Sequence, residues 1–335
     1  MKTFGFQWHT TDRCNLRCRH CYQDTFGSES EQGLDVLVQM ADRIFGALPD
    51  RAVSVNLTGG EPLLLPGLFD LVAHLHELPN FDEAAIITNG TIATERVIRS
   101  IASFPRLTTL KVSIESADRS TNDGIRGEGN LDRVVSNLAR LKKTGKDIVL
   151  MATLSRLNLA HIEPTAQLAR DLGLSGVIFE RFVPLGSGVG LLDQVLKPED
   201  WAAAVRAIGE TAGLELDPLE LLPYKAFWLD LRGEAEEPLS GALCNLGEGS
   251  MALMPDGTVY PCRRTPIPQG NVLAEPFVSI WERLKKFSSR ATRPRLTGIF
   301  CTACGIEDCA GCRALARAAS GDVMGDDPQC PLLAD

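Results

Sequence analysis

The ten cysteines of this 335-residue chain are confined to its two ends. Cys14, Cys18 and Cys21 come early; Cys244, Cys262, Cys301, Cys304, Cys309, Cys312 and Cys330 come late, and none lies between. No apolar run reaches the length of a membrane span, and Met1 to His9 lacks the apolar stretch of a signal peptide, so the chain reads as cytoplasmic. In that compartment thiols stay reduced, and metal binding or catalysis is a better expectation than disulfides. Cys14-x3-Cys18-x2-Cys21 supplies three thiolates, which can hold three irons of a [4Fe-4S] cube and leave the fourth iron without a protein ligand. A closed zinc site needs a fourth ligand, for which His20 is the local candidate.

The rest of the chain is built to fold. It is 44% apolar and long enough for a large α/β body with an appendage. From Phe4 to Val183, β-rich runs alternate with amphipathic ones, the pattern of βα units on a parallel sheet. The predicted strands are Phe4 to Thr10, Val53 to Leu57, Ala84 to Thr88, Thr109 to Ile114, Ile148 to Leu154 and Val177 to Val183. The predicted helices are Leu34 to Leu48, Leu68 to Leu78, Thr94 to Phe104, Leu131 to Lys143, Pro164 to Leu172 and Pro198 to Thr211. Six units are too few for an eight-fold barrel, so the fold class is α/β: a partial (β/α)6 TIM-like barrel followed by a small cysteine-rich domain. The expected domains are 1–185 for the barrel, 186–242 for a bridging helical segment and 243–335 for the cysteine-rich part. The acidic, breaker-rich Gly233 to Gly241 reads as the boundary. Cluster ligation, rather than an apolar core, is expected to organise the last part.

A strand followed by Cys14-x3-Cys18-x2-Cys21 resembles the radical S-adenosylmethionine (SAM) superfamily, with His20 where that family places an aromatic residue. The resemblance implies that S-adenosylmethionine chelates the open iron and is cleaved reductively to a 5′-deoxyadenosyl radical. The second strand ends in Gly59-Gly60-Glu61-Pro62, similar to the family's turn at the methionine amino group, where two glycines permit close backbone approach. Asn89, Ser113, Glu115 and Arg126 follow later strands at places where the family contacts ribose, carboxylate or adenine. Asn89 and Glu115 can equally be capping or turn residues, and relatives often carry Asp-Gly where this chain has Glu115-Ser116. Arg181 and Leu185 flank the last strand's exit, where the family closes the cofactor pocket.

Cys244-x12-Gly257-x4-Cys262, then Cys301-x2-Cys304-x4-Cys309-x2-Cys312-x17-Cys330, is similar to the SPASM auxiliary-cluster domain. A zinc ribbon remains the alternative for the Cys301 to Cys312 group. The family's interleaved pattern implies one auxiliary [4Fe-4S] cluster on Cys301, Cys304, Cys309 and Cys330. A second falls to Cys244, Cys262 and Cys312. That second set lacks a fourth thiolate, for which Ser250, Glu248 and Asp256 are candidate substitutes. Arg263 stands where SPASM enzymes that oxidise a sulfatase residue carry an aspartate, which argues against that reaction. The basic stretch Arg283, Lys285, Lys286, Arg290, Arg293 and Arg295 reads as a solvated helix face or an acidic-peptide site.

The function expected from this resemblance is radical modification of a ribosomally synthesised peptide by thioether or carbon-carbon crosslinking, epimerisation or oxidation. Its rivals are radical chemistry on a small metabolite or porphyrinoid side chain, and a non-catalytic zinc-stabilised binding protein. Expected partners are a short precursor peptide and a low-potential electron donor such as flavodoxin or ferredoxin. The chain starts at the first strand, so a separate leader-recognition protein is a further candidate. The formal charge of 34 − 43 = −9 gives no basic field for nucleic acid, and no membrane partner is expected.

Overall fold

A computed structural model describes residues 2–233 and 236–333. Met1, Glu234, Ala235, Ala334 and Asp335, which fall in the expected barrel, boundary segment and carboxyl-terminal domain, lie outside the described residues. Six parallel strands carry the amino-terminal body: β1 Lys2–Thr11, β2 Arg51–Gly59, β3 Phe81–Thr88, β4 Leu107–Ser113, β5 Asp147–Leu154 and β6 Gly176–Arg181. Helices α1 Leu34–Gly46, α2 Leu68–Glu77, α3 Glu95–Ser103, α4 Arg119–Arg126, α5 Asn130–Leu141, α6 Ile162–Asp171 and α7 Pro198–Thr211 alternate with or follow them. The period of each element explains its packing. β1 buries Phe4, Phe6 and Trp8 on one face, and α1 turns Leu37, Met40, Ala41, Ile44 and Phe45 onto the sheet.

The sheet continues on both sides of this body. β7 Tyr224–Asp230 and β8 Leu239–Leu243 add antiparallel strands beyond β6. On the other side β9 Ser250–Leu253 lies parallel to β1, followed by β10 Thr258–Tyr260 and β11 Gly270–Asn271. The result is an 11-stranded sheet in the order β11-β10-β9-β1-β2-β3-β4-β5-β6-β7-β8, a partial barrel that does not close. Helices α8 Phe277–Leu284, α9 Ser289–Thr292, α10 Ile299–Ala303 and α11 Arg313–Ser320 complete the carboxyl-terminal part.

Three expectations change. Helix α4 is missed by periodicity because only one of its residues, Ile125, is a buried apolar side chain; the Asp118 carboxylate starts it by accepting from Thr121 N at 2.8 Å. Of the breaker-rich Gly233 to Gly241, Leu239 to Gly241 lie in β8 and pair with β7, so the sheet extends into the expected boundary segment. The late part shares the main apolar core through Met251, Leu253, Val259, Val272, Phe277, Ile280 and Leu284. At about 1.5–3 kcal/mol per buried side chain these contribute on the order of 10 kcal/mol before ordering entropy, so apolar burial organises this region along with its cysteines.

The carboxyl ends of β1 to β6 all open on one side, where ligands of parallel sheets bind. Among the described residues no helix is long and apolar enough to cross a membrane.

Candidate functional site

The loop after β1 carries Cys14, Cys18 and Cys21, all half-buried, on the rim of a cavity of about 120 Å³. Backbone donors already face two of the sulfurs: Leu16 N to Cys14 Sγ and Gln23 N to Cys21 Sγ, each 3.4 Å. Arg19 N donates to Ile125 O at 2.9 Å, and Gly188 N to Cys21 O at 2.9 Å, which pins the loop to α4 and to the segment after β6. Burial raises the Cys14 and Cys18 thiols and pushes Cys21 up to about 11. A bound cation would reverse that penalty by deprotonating them.

Two glycines bring the end of β2 against this loop. Gly60 N donates to Thr11 O at 2.8 Å and Glu61 N to Arg13 O at 2.7 Å. Gly59 has φ of 137°, and a Cβ on either glycine would collide with the backbone of Thr11 or of Asp12 and Arg13. Their lack of side chains is therefore demanded first by the cysteine loop, not by a ligand.

Eight of the eleven residues singled out as cofactor contacts line the cavity: His20, Gly59, Gly60, Asn89, Ser113, Glu115, Arg126 and Arg181. Glu61, Pro62 and Leu185 are not among its lining residues. Glu61 is fully buried and braces the end of β3, accepting from Thr88 Oγ1 at 2.8 Å, Asn89 N at 2.7 Å and Leu63 N at 3.1 Å. Burial pushes its carboxyl up to about 7 against these donors. Asn89 reaches Asn15 Oδ1 at 2.8 Å and Cys14 Sγ at 3.8 Å, and its own oxygen caps Thr91, so it serves as turn residue and loop brace at once.

Glu115 is the electrostatic hub of this wall. Its carboxylate accepts from Arg126 Nη1 at 2.8 Å and Thr153 N at 2.9 Å, and stands 3.2 Å from His20 Nε2. Burial alone would raise this acid, but His20, Arg126 and the Thr153 amide hold it down to about 2.

Sequence reasoning missed the opposite wall. Glu180 on β6 takes both Arg263 and Arg264, which follow Cys262 directly, and Arg264 Nη1 also donates to Arg181 O at 2.6 Å. Arg263 lies over the ring of half-buried Tyr22, 5.3 Å from its centroid, and its Nε has no partner. Phe182, Val183 and Met151 add apolar surface. Thr58, Thr153 and Glu180 were within reach of a strand-end search; Arg263 was noted only as standing where sulfatase-oxidising SPASM enzymes carry an aspartate, and its pairing with Glu180 across 83 residues was not.

The late cysteines form two further groups. Cys301, Cys304, Cys309 and Cys330 line a narrow cavity of about 20 Å³ together with Lys225 and Asp327. Cys244, Cys262 and Cys312 neighbour one another: burial pushes Cys244 up to about 12, with Cys312 and Cys262 adding to the rise. Among the described residues no three His, Cys, Asp or Glu side chains are grouped to hold a single metal ion. The candidate fourth ligands point elsewhere. Ser250 Oγ donates to Asn245 O at 3.1 Å, Asp256 caps Thr258, and Glu248 is exposed. In the basic stretch, Arg293 turns inward and donates to the carbonyls of Cys304, Ile306 and Cys309, bracing the cysteine loop.

A cavity with three thiols at the carboxyl ends of a partial barrel, and a second with four thiols, suits iron-sulfur cubes in its soft donors. The description "Radical SAM superfamily" matches residues 8–169, and the SPASM "Iron-sulfur cluster-binding domain" matches residues 244–313. The chain belongs to the radical SAM superfamily. This radical SAM protein is an enzyme, with iron-sulfur clusters and S-adenosylmethionine as its cofactors. It is 27% identical to an AdoMet-dependent heme synthase of Methanosarcina barkeri, over 96% of this chain and 95% of that one. It is 26% identical to the mycofactocin maturase MftC of Mycobacterium tuberculosis, over 96% of this chain and 81% of that one. Its fold matches the structure of native anSMEcpe with bound AdoMet and Cp18Cys peptide at a TM-score of 0.74 and 17% identity, covering 97% and 93% of the two chains.

Proposed function

We propose that Cys14, Cys18 and Cys21 hold the radical cluster, and that this enzyme abstracts hydrogen from a carboxylate-bearing substrate lying between that cluster and the Arg263–Arg264 pair. The observation that carries the reading is the shared cavity: three thiols, the strand-end residues and both arginines line the same space. A cluster held by Cys14, Cys18 and Cys21 would supply one-electron reduction of the sulfonium by a low-potential donor such as flavodoxin or ferredoxin, yielding methionine and a 5′-deoxyadenosyl radical. The protein's part is positioning. Gly59 and Gly60 offer backbone to the cofactor, Glu115 held by Arg126 fixes the polar wall, and Phe182, Val183 and Met151 limit water. Arg263 is almost fully buried and keeps an unpartnered Nε, so its guanidinium can accept a second anion besides Glu180.

By this reading Cys301, Cys304, Cys309 and Cys330 hold one auxiliary cluster and Cys244, Cys262 and Cys312 another. The leading substrate class is a ribosomally made peptide, in keeping with the maturase among the relatives. A tetrapyrrole side chain is the second reading, favoured by the heme synthase, whose length this chain matches almost fully. Both classes present carboxylates. The deciding experiment measures 5′-deoxyadenosine formed by reconstituted enzyme with dithionite and S-adenosylmethionine, adding either a precursor peptide encoded beside the gene or an iron coproporphyrin. Stimulation by the peptide alone supports the first reading, and stimulation by the tetrapyrrole alone replaces it with the second.

A further inference from the structure

Asp327 connects the two late cysteine groups, although no sequence motif singles it out. Its side chain is 1% exposed. Oδ2 accepts from Cys312 N at 2.8 Å and from Arg181 Nη1 at 2.9 Å, while Oδ1 accepts from Gln329 N at 3.1 Å. Its own backbone N donates to Cys301 Sγ at 3.5 Å. One residue thus touches the backbone of a cysteine from one group and the sulfur of a cysteine from the other. Lys225 stands beside it, with Nζ 4.0 Å from Asp327 Oδ2, 3.6 Å from Cys309 Sγ and 2.7 Å from Leu222 O. Arg181 lines both the large cavity and the four-thiol cavity, so the carboxylate's main counter-ion sits on the wall between them.

Fixed charges close to an iron-sulfur cluster shift its reduction potential, because reduction adds a negative charge in a poorly screened interior. A carboxylate opposes reduction and lowers the potential; an ammonium favours it and raises the potential. Residues outside the ligand shell, by orienting and polarising the ligands, tune a centre as the ligands themselves do.

We propose that Asp327 is a positioning residue common to both auxiliary clusters, lowering their two potentials together, while Lys225, 3.6 Å from Cys309 Sγ, raises chiefly the potential of the Cys301, Cys304, Cys309 and Cys330 cluster. The inference rests on the ligand partition proposed above. A purely mechanical role, clamping the late segment to Arg181 of β6, would hold the fold without giving shifts of opposite sign.

The test uses the full chain, reconstituted without oxygen, as wild type, Asp327→Asn and Lys225→Met. Iron per chain is measured first, followed by a redox titration read by electron paramagnetic resonance. Asp327→Asn keeps the backbone donor and the side-chain shape, and is expected to retain iron and shift both auxiliary signals to higher potential. Lys225→Met is expected to shift one auxiliary signal to lower potential by clearly more than it shifts the other. Full iron with both potentials unmoved in Asp327→Asn, or only one moved, overturns the inference while leaving the partition intact. If Asp327→Asn loses iron, Lys225→Met decides: an unchanged or raised potential overturns the proposal. A wild-type iron content near four removes the partition and the inference with it.

Discussion

Glu115→Gln is the sharpest single test of the polar wall, because it removes one charge and keeps the side-chain shape. The carboxylate is buried and paired with Arg126, so its loss leaves a guanidinium uncompensated in the interior. A fall in pKa from the ordinary 4.5 to about 2 corresponds to about 3 kcal/mol of stability, at about 1.4 kcal/mol per pKa unit. Removing one partner of a buried pair costs about 3–5 kcal/mol by an independent route, and the amide's retained acceptor for Thr153 N argues for the lower end. The sign fixes the pH window. A carboxyl whose folded value is depressed contributes in full above its unfolded value, and the contribution is lost as pH falls from about 4.5 towards 2. Urea unfolding of the cluster-free, thiol-reduced chain is therefore expected to show Glu115→Gln less stable by about 3 kcal/mol at pH 5, with a gap that does not close between pH 8 and pH 5. A gap under about 1 kcal/mol at pH 7, or one that closes between pH 8 and pH 5, would refute the assignment of Glu115 as an ionised hub.

Other consequences follow from single contacts. Gly60→Ala places a Cβ against the Arg13 backbone, so it is expected to deform the cysteine loop and lose about four of the roughly twelve irons while sparing the late clusters, which iron assay and resonance spectra would separate. Arg293→Met removes donors from the carbonyls of Cys304, Ile306 and Cys309; it is expected to cost about 1–3 kcal/mol and to speed loss of iron from the late set on dilution with chelator. Arg264→Gln keeps one hydrogen bond to Glu180 but not the charge, and should weaken substrate-stimulated 5′-deoxyadenosine formation at least tenfold while changing unstimulated cleavage little. An equal loss in both rates would assign Arg264 to the cofactor instead.

How much of this was legible beforehand depended on whether the chemistry is local in sequence. Cys14, Cys18 and Cys21 stand out because three ligands for one centre must sit in one short loop. The six parallel strands stand out because strands buried on both faces read as apolar runs between breakers. Their ends were misjudged by a few residues where polar positions such as Arg51 or Asp82 still belong to the ladder. Helix α4 escaped because its stability comes from an Asp118 cap and the buried Asn122 rather than from an apolar stripe. The glycines of the Gly59-Gly60 turn were noticed for close backbone approach to a ligand, and the structure adds a second neighbour they must approach, the backbone of Thr11 to Arg13. Glu180 with Arg263 and Arg264, and Asp327 with Arg181, are contacts across 83, 84 and 146 residues. No period or spacing encodes them, and only the packing of β9 beside β1 and of the late loops against β6 brings them together.

The central claim is that Cys14, Cys18 and Cys21 hold the centre at which S-adenosylmethionine is cleaved. It is tested most directly by replacing all three with alanine and measuring 5′-deoxyadenosine and iron on anaerobically reconstituted protein. The account predicts no detectable 5′-deoxyadenosine and a loss of about four irons, with the signals of the auxiliary clusters retained. Continued 5′-deoxyadenosine formation by the triple variant would contradict it.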